Sequence, residues 1–151
     1  MQITKPFENT IVVARSFAAS RQAVFSALTS PAEVPLWFTP ARMSLAGYEA
    51  DVRTGGSYRY TFERRNGMRL EMRGVYEEVV APLRWVYTET YDFSPIQLLV
   101  TNTLDDADGQ TLLTQTIRYA TTKARDDDFD AVAESAADLY GKLDRYLKSG
   151  G

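Results

Sequence analysis

Aromatic side chains recur at every second position in the middle of the chain. Tyr58, Tyr60 and Phe62 are separated by polar residues, a pattern typical of a strand with one buried and one solvated face. The three rings therefore share a face. Small-molecule pockets are mostly apolar with a few orienting polar groups, so this face is a candidate binding surface. The candidate wall comprises Trp37, Tyr58, Tyr60, Phe62, Met72, Tyr76, Trp85 and Tyr87.

The alternative interpretation is that these residues pack a closed core. Several of them are tyrosines, whose hydroxyl groups need hydrogen-bond partners when they are buried. A partly wet cavity satisfies such hydroxyls more easily than a dry core does. Both interpretations stay open at this point, and the tyrosines favour a cavity.

Two further polar residues are predicted to lie on the same face of their strands as apolar neighbours. Glu89 shares its phase with Tyr87 and Tyr91, so it is a candidate inward carboxylate with a raised pKa, able to bind a cation or move a proton. It could equally lie near the end of its strand and reach solvent. Gln115, among the apolar residues of the last strand, is either a hydrogen-bonding group for a ligand or a satisfied core amide.

The chain contains no cysteine and no histidine. Their absence excludes disulfides, thiol nucleophiles, Ser-His and Cys-His dyads and the commonest transition-metal ligands. We therefore predict no metal site and no cofactor, and we assign no catalytic residue. An enzyme built from this sequence would have to use tyrosines, Glu89 or Arg15, and Arg15 could equally be paired with a carboxylate for structural reasons.

Charge and length restrict the remaining classes of protein. The net charge is −3, and Lys and Arg are scattered along the chain, so a nucleic-acid partner is not expected. No apolar run approaches the ~20 residues that cross a bilayer. The N-terminus lacks the apolar core of a signal peptide, and a cytoplasmic protein is expected. We predict a single domain over 1–151, structured from about 9 to 148, as a monomer or weak homodimer.

The elements that would position these residues follow from periodicity. A strand from Asn9 to Phe17 precedes two short helices, the first capped by Ser20 and the second starting with a capping box from Ser30 to Glu33. From residue 44 to residue 119, apolar and polar residues alternate with the period of two that is typical of β-strands. Two tight hairpins are predicted there, a type I′ turn at 66–67 and a second at 108–109.

A long amphipathic helix closes the chain, predicted from Asp126 to Lys148 with the acids at 126–128 as its cap. Its apolar face would carry Phe129, Val132, Ala136, Leu139, Tyr140, Leu143 and Leu147, of which Val132, Ala136 and Tyr140 are candidate ligand contacts. This order gives an α+β class with about seven antiparallel strands. A twisted sheet with one aromatic face can bury that face and the helix together only by curling around the helix.

The chain resembles the START-like (SRPBCC) superfamily with the helix-grip fold, and more narrowly bacterial proteins related to the activator of the heat-shock chaperone ATPase. The resemblance spans Ile11 to Leu147 and rests on the order and spacing of several short motifs. These are Arg15-Ser16-Phe17, Val24-Phe25, Pro31, Trp37, Pro40, 51–56, 74–79, Pro82, Thr88-Glu89, 108–111 and 124–126.

The resemblance implies a cavity between sheet and helix that takes a small hydrophobic or amphipathic molecule. It also leaves two alternatives open: a cyclase or dehydratase type of catalysis, and a protein-interaction module of the chaperone co-factor kind. Three positions depart from the family pattern. Phe38 replaces a common second Trp, and Val132 and Ser135 replace a common Met and Gly, which affects the expected shape of the cavity.

Overall fold

The computed structural model describes residues 1–150, which form an antiparallel sheet and three helices. The elements are β1 (Gln2–Thr4), β2 (Thr10–Phe17), α1 (Arg21–Thr29), α2 (Val34–Trp37), β3 (Met43–Ala50), β4 (Ser57–Arg64), β5 (Arg69–Val80), β6 (Arg84–Tyr91), β7 (Gln97–Ala107), β8 (Gln110–Arg118) and α3 (Thr122–Lys148). The curved sheet lies against the long final helix, so the α+β helix-grip prediction is confirmed.

The sheet has eight strands in the order β1-β2-β8-β7-β6-β5-β4-β3, where about seven were predicted. The additional strand is β1, which pairs antiparallel with β2 through Ile3 and Val13. Three residues are too few to show a period of two, so the sequence pattern gave no signal for this strand. Ile3 packs against the core, and ordered structure therefore begins before the predicted residue 9.

The start of α3 differs from the prediction. The helix begins at Thr122, and the Thr121 hydroxyl caps it by accepting a hydrogen bond from the Ala124 amide at 3.0 Å. Threonine is a favoured N-cap residue. Because the helix begins at residue 122, the acids at 126–128 lie beyond its first turn and are not its cap. Asp127 instead forms an ion pair with Lys123, one helical turn away.

The apolar face of α3 packs on the sheet as its periodicity indicates. Ala136, Tyr140 and Leu143 are buried. Tyr140 meets Phe17 of β2 edge-on, with ring centroids 6.1 Å apart. Arg125 ties the beginning of the helix to the N-terminal segment, because its buried guanidinium donates to the carbonyl oxygens of Phe7 and Thr10.

The first short helix is capped by Ser20, as predicted, whose hydroxyl accepts from the Ala23 amide at 3.1 Å. The predicted capping box of the second helix does not form. Residues 31–33 are a turn, and α2 begins only at Val34. The Glu33 carboxylate is directed elsewhere, since it accepts a hydrogen bond from the Tyr146 hydroxyl of α3 at 2.9 Å.

The two hairpin turns differ in type. At the β7–β8 turn, Asp108 and Gly109 both have positive φ, 51° and 77°, as a type I′ turn requires. At the β4–β5 turn only Gly67 is left-handed, and its amide bonds the Arg64 carbonyl at 2.9 Å. That pattern is a type I turn followed by a left-handed residue, so the type I′ prediction for 66–67 is wrong. The Asn66 side chain accepts from the Met68 amide instead of supplying a left-handed residue.

Candidate ligand-binding cavity

A cavity of about 390 Å³ lies between the concave face of the sheet and α3. Every side chain singled out from the sequence as a candidate ligand contact is on its wall. These residues are Trp37, Tyr58, Tyr60, Phe62, Met72, Tyr76, Trp85, Tyr87, Glu89, Gln115, Val132, Ala136 and Tyr140. Their role as ligand contacts stays a prediction.

The aromatic wall consists of the inward-facing side chains of β4 and of its neighbouring strands. Tyr58 packs edge-on against Tyr87 of β6, with ring centroids 5.3 Å apart, and its centroid lies 5.5 Å from that of Tyr76 on β5. Tyr60 lies 5.0 Å from Phe38, which follows α2. Alternation within β4 thus places its rings on one face, and the register with β5 and β6 brings further rings beside them.

The helix contributes small side chains to the opposite wall. Ala131, Ser135 and Ala136 line the cavity beside the larger Val132 and Leu139. Short side chains on this stretch of α3 fill little of the space between helix and sheet. The cavity therefore lies where the helix face is smallest.

The tryptophan indoles are held at fixed positions in the wall. Trp37 donates its Nε1–H to the Ala27 carbonyl at 2.7 Å, which ties α2 to α1. Trp85 meets Phe25 edge-on, with centroids 5.0 Å apart. Both tryptophans of the chain thus border the cavity.

Two amides form a polar pair on the sheet side of the cavity. Asn102 of β7 and Gln115 of β8 are directly opposite each other in the strand register. Burial raises the pKa of Tyr87 and of Tyr140, and the neighbouring amides of Asn102 and Gln115, respectively, counteract that rise. Gln115 was predicted from its polar side chain on an apolar phase. Asn102 shares that signal, because it falls on the phase of buried neighbours in β7, but it was not selected.

The other polar end of the cavity contains two carboxylates, each bonded by a tyrosine hydroxyl. Tyr91 donates to Glu89 within β6, and Tyr119 donates to Asp128 of α3. Burial raises the pKa of Glu89, and the negative charge of Asp128 raises it further, while the hydrogen bond from Tyr91 acts in the opposite direction. Glu89 lines the cavity and is half-buried, two residues before the end of β6.

The family of this chain is decided by comparison with known proteins. The model of the family described as Activator of Hsp90 ATPase homolog 1-like protein matches residues 18–148. The chain belongs to this family. The comparison with curated proteins found no match.

Solved structures of similar fold extend over nearly the whole of this Activator of Hsp90 ATPase homolog 1-like chain. A crystal structure from Rhodobacter sphaeroides is 29% identical, with TM-score 0.91 and 98% of each chain covered. A solution structure from Staphylococcus epidermidis is 25% identical, with TM-score 0.86, covering 100% of this chain and 96% of that one. A crystal structure from Nitrosomonas europaea, at 20% identity and TM-score 0.85, covers 97% and 100% and shows the shared fold.

In this member of the family the cavity reaches the surface beside the first half of α3. Ala131 and Ser135 line the cavity and are also exposed. Phe93, in the β6–β7 loop, lines it as well and is 52% exposed. The opening therefore lies between α3 and the β6–β7 loop.

Burial shifts the acidity of the tyrosines around the cavity. It raises the pKa of Tyr58, Tyr60, Tyr87 and Tyr140, so these hydroxyls stay protonated and are available as neutral hydrogen-bond groups. Tyr58 uses its hydroxyl on the Thr88 carbonyl of β6 at 2.6 Å. These side chains offer hydrogen bonds and aromatic faces, not charge.

Arg15 lies apart from this site. Its guanidinium is 3.9 Å from the Asp144 carboxylate of α3, and it is not among the residues lining the cavity. This position fits the structural interpretation, in which Arg15 pairs with a carboxylate, and its catalytic use stays a prediction. Within residues 1–150 no group of three or more acidic, cysteine or histidine side chains is placed to hold a metal ion. No helix in that range is long and apolar enough to span a membrane.

Proposed function

We propose that this protein binds a small hydrophobic or amphipathic molecule in the cavity between the sheet and α3. The observation that carries the proposal is the composition of the wall: aromatic and aliphatic side chains surround about 390 Å³, with a few polar groups at its ends. Ligand pockets have volumes of roughly 300–1,000 Å³ and the same mixture of lining groups. The family resemblance favours the same use of this space.

The two tryptophans provide a direct measurement of binding. Because Trp37 and Trp85 both border the cavity, a bound molecule is expected to change the intrinsic fluorescence of the unlabelled protein. Binding to the native state alone also raises the melting temperature with ligand concentration. A library of small apolar molecules, scored by both signals, is the first experiment.

A pair of variants on α3 tests where such a molecule sits. Ala136→Leu places extra carbons in the cavity, whereas Ala137→Leu makes the same change at an exposed position one residue away. We expect Ala136→Leu to weaken binding of any hit on the order of tenfold or more, since the added volume competes with the ligand. Ala137→Leu should bind normally. Equal binding by both variants, or no hit from the library, contradicts the proposal.

The two alternatives from the sequence stay predictions. A cyclase or dehydratase reaction would use Glu89 with a tyrosine, and Glu89→Gln would then abolish turnover without unfolding the protein. A chaperone co-factor role would appear as a chaperone retained on the immobilised protein. The cytoplasmic location and the monomer or weak homodimer state are likewise predictions.

A further inference from the structure

The charge on the cavity wall is of one sign. The lining includes two carboxylates, Glu89 and Asp128, and none of the described residues that line it is a lysine or an arginine. The chain has no histidine at all. Everything else on the wall is apolar or a neutral hydroxyl or amide. A charged ligand group entering this space meets negative charge only.

We propose that the ligand is a hydrophobic amine, held as a cation between the Glu89 and Asp128 carboxylates with its apolar body against the aromatic wall. This inference rests on the proposed function and adds the chemical class of the ligand. The two carboxylates come from different elements, β6 and α3, both line the cavity, and they are close enough for the charge of Asp128 to act on Glu89.

The carboxylates retain the capacity to bind such a group. Each accepts one hydrogen bond from a tyrosine, Glu89 from Tyr91 and Asp128 from Tyr119. A carboxylate has about four acceptor sites on its two oxygens, so positions remain for an ammonium donor. The tyrosine hydroxyls hold the carboxyl groups in place without neutralising them. An ammonium ion carries three donors and matches this arrangement.

The aromatic rings add a second attraction for a cation. Tyr87 and Tyr58 lie on the same wall as Glu89, and ring faces carry partial negative charge that attracts a cation within about 6 Å. The same groups disfavour an anionic ligand. A fatty acid would bring a third negative charge beside two half-buried carboxylates, where water and salt screen the Coulomb repulsion less than at an open surface.

Three probes of matched size and different charge test the inference. Phenylbutylamine, phenylbutanol and phenylbutanoate share one apolar body and differ in the head group. Their affinities are measured by tryptophan fluorescence and calorimetry on the full chain. We expect the amine to bind on the order of tenfold more tightly than the alcohol, and the acid to bind more weakly than either.

Variants assign the preference to the named carboxylates. Glu89→Gln and Asp128→Asn keep the side-chain shape and remove one charge each, so each is expected to lower amine affinity while alcohol affinity changes little. Glu134→Gln, an exposed acid on the same helix, is the control and should leave all three affinities unchanged. Circular dichroism verifies folding, and either carboxylate variant alone suffices if the other does not fold.

The possible outcomes separate the two proposals. If the alcohol or acid binds as well as the amine, the amine inference is overturned while ligand binding stands. If the amine preference survives in both Glu89→Gln and Asp128→Asn, the carboxylates do not cause it and the inference is again overturned. If none of the probes or library molecules binds, the proposed function fails and the inference fails with it.

Discussion

The Tyr58 ring lies directly over Gly74 on the neighbouring strand. The two residues are partners in the β4–β5 register, and Tyr58 reaches across β5 to donate to the Thr88 carbonyl of β6 at 2.6 Å. A Cβ atom at Gly74 would lie 1.8 Å from the Thr88 oxygen and 2.8 Å from a Tyr58 ring carbon. Only glycine permits this approach, which fixes the inward position of a cavity-lining ring.

Substituting Gly74 by alanine is therefore expected to destabilise the protein. Because the methyl group would collide with the Thr88 carbonyl, β5 and β6 must separate, at a cost of about 1–3 kcal/mol in the free energy of unfolding. Urea denaturation measures the loss. Gly47→Ala is the matched control, since a Cβ there meets nothing nearer than 3.9 Å, and it should change stability by about 0.5 kcal/mol or less. Equal effects of the two substitutions would refute the steric explanation.

Arg125→Met is expected to lower the free energy of unfolding by roughly 3 kcal/mol, because it leaves the carbonyl of the buried Thr10, and that of Phe7, without their guanidinium donor. Chemical denaturation gives the magnitude, and hydrogen exchange should show early opening around residues 7–10. Arg118→Met changes an exposed arginine and serves as the control. A stable Arg125→Met protein would show that the N-terminal segment is held by other contacts.

Glu89→Gln is expected to stabilise the ligand-free protein at about pH 7. The pKa of Glu89 is raised in the folded state, so folding takes up a proton between the unfolded pKa and the raised one, and wild-type stability falls as pH rises through that window. Glutamine cannot ionise, so it carries no free-energy cost of burying a charge. Its side-chain oxygen can still accept a hydrogen bond from Tyr91. The stability difference should shrink as pH falls towards the ordinary carboxyl pKa.

The tyrosines that interact with the Glu89 charge stay protonated in this window; they are Tyr58, Tyr87, Tyr91, Tyr119 and Tyr140. The facing carboxylate is Asp128 of α3. Comparing denaturation of wild type and Glu89→Gln at several pH values isolates the contribution of the glutamate. A difference that grows on acidification would mean that the folded state lowers the pKa of Glu89.

Lys142→Met is expected to loosen the α2–β3 loop with little loss of overall stability. Lys142 donates to the Thr39 carbonyl and pairs with Asp138 at 3.0 Å, and the neighbouring Phe38, Pro40 and Met43 line the cavity. An exposed ion pair contributes about 0–1 kcal/mol, so hydrogen exchange of loop amides should change more than the melting temperature. Lys123→Met, which removes another i,i+4 pair of α3, should leave loop exchange unchanged. Unaltered exchange in Lys142→Met would exclude this anchor.

The sequence was sufficient to predict which side chains of β4 share one face. A period of two put Tyr58, Tyr60 and Phe62 on one face, and that face borders the cavity because neighbouring strands impose the same alternation. The order of the strands in the sheet did not follow from periodicity. β1 was missed because so short a strand has no measurable period.

Asp128 lines the cavity but was not selected from the sequence, because the start of the final helix was predicted four residues too late. Assigning it to a helix cap removed it from the helix face that it shares with Val132 and Ser135, although spacings of four and seven residues place the three together. The true cap at Thr121 depends on its own local hydrogen bond, and the pairing of Asp128 with Tyr119 depends on the tertiary fold. Periodicity alone reveals neither.

The Asn102–Gln115 pair gives the cavity an adjustable component. A carboxamide turned by half a revolution exchanges its oxygen for its nitrogen at nearly the same place, so the pair can present an acceptor or a donor to whatever enters. Such a reversal needs no movement of β7 or β8. This chain therefore needs only a side-chain rotation, and no rebuilding of the sheet, to place a hydrogen-bond donor or an acceptor at that point of the cavity.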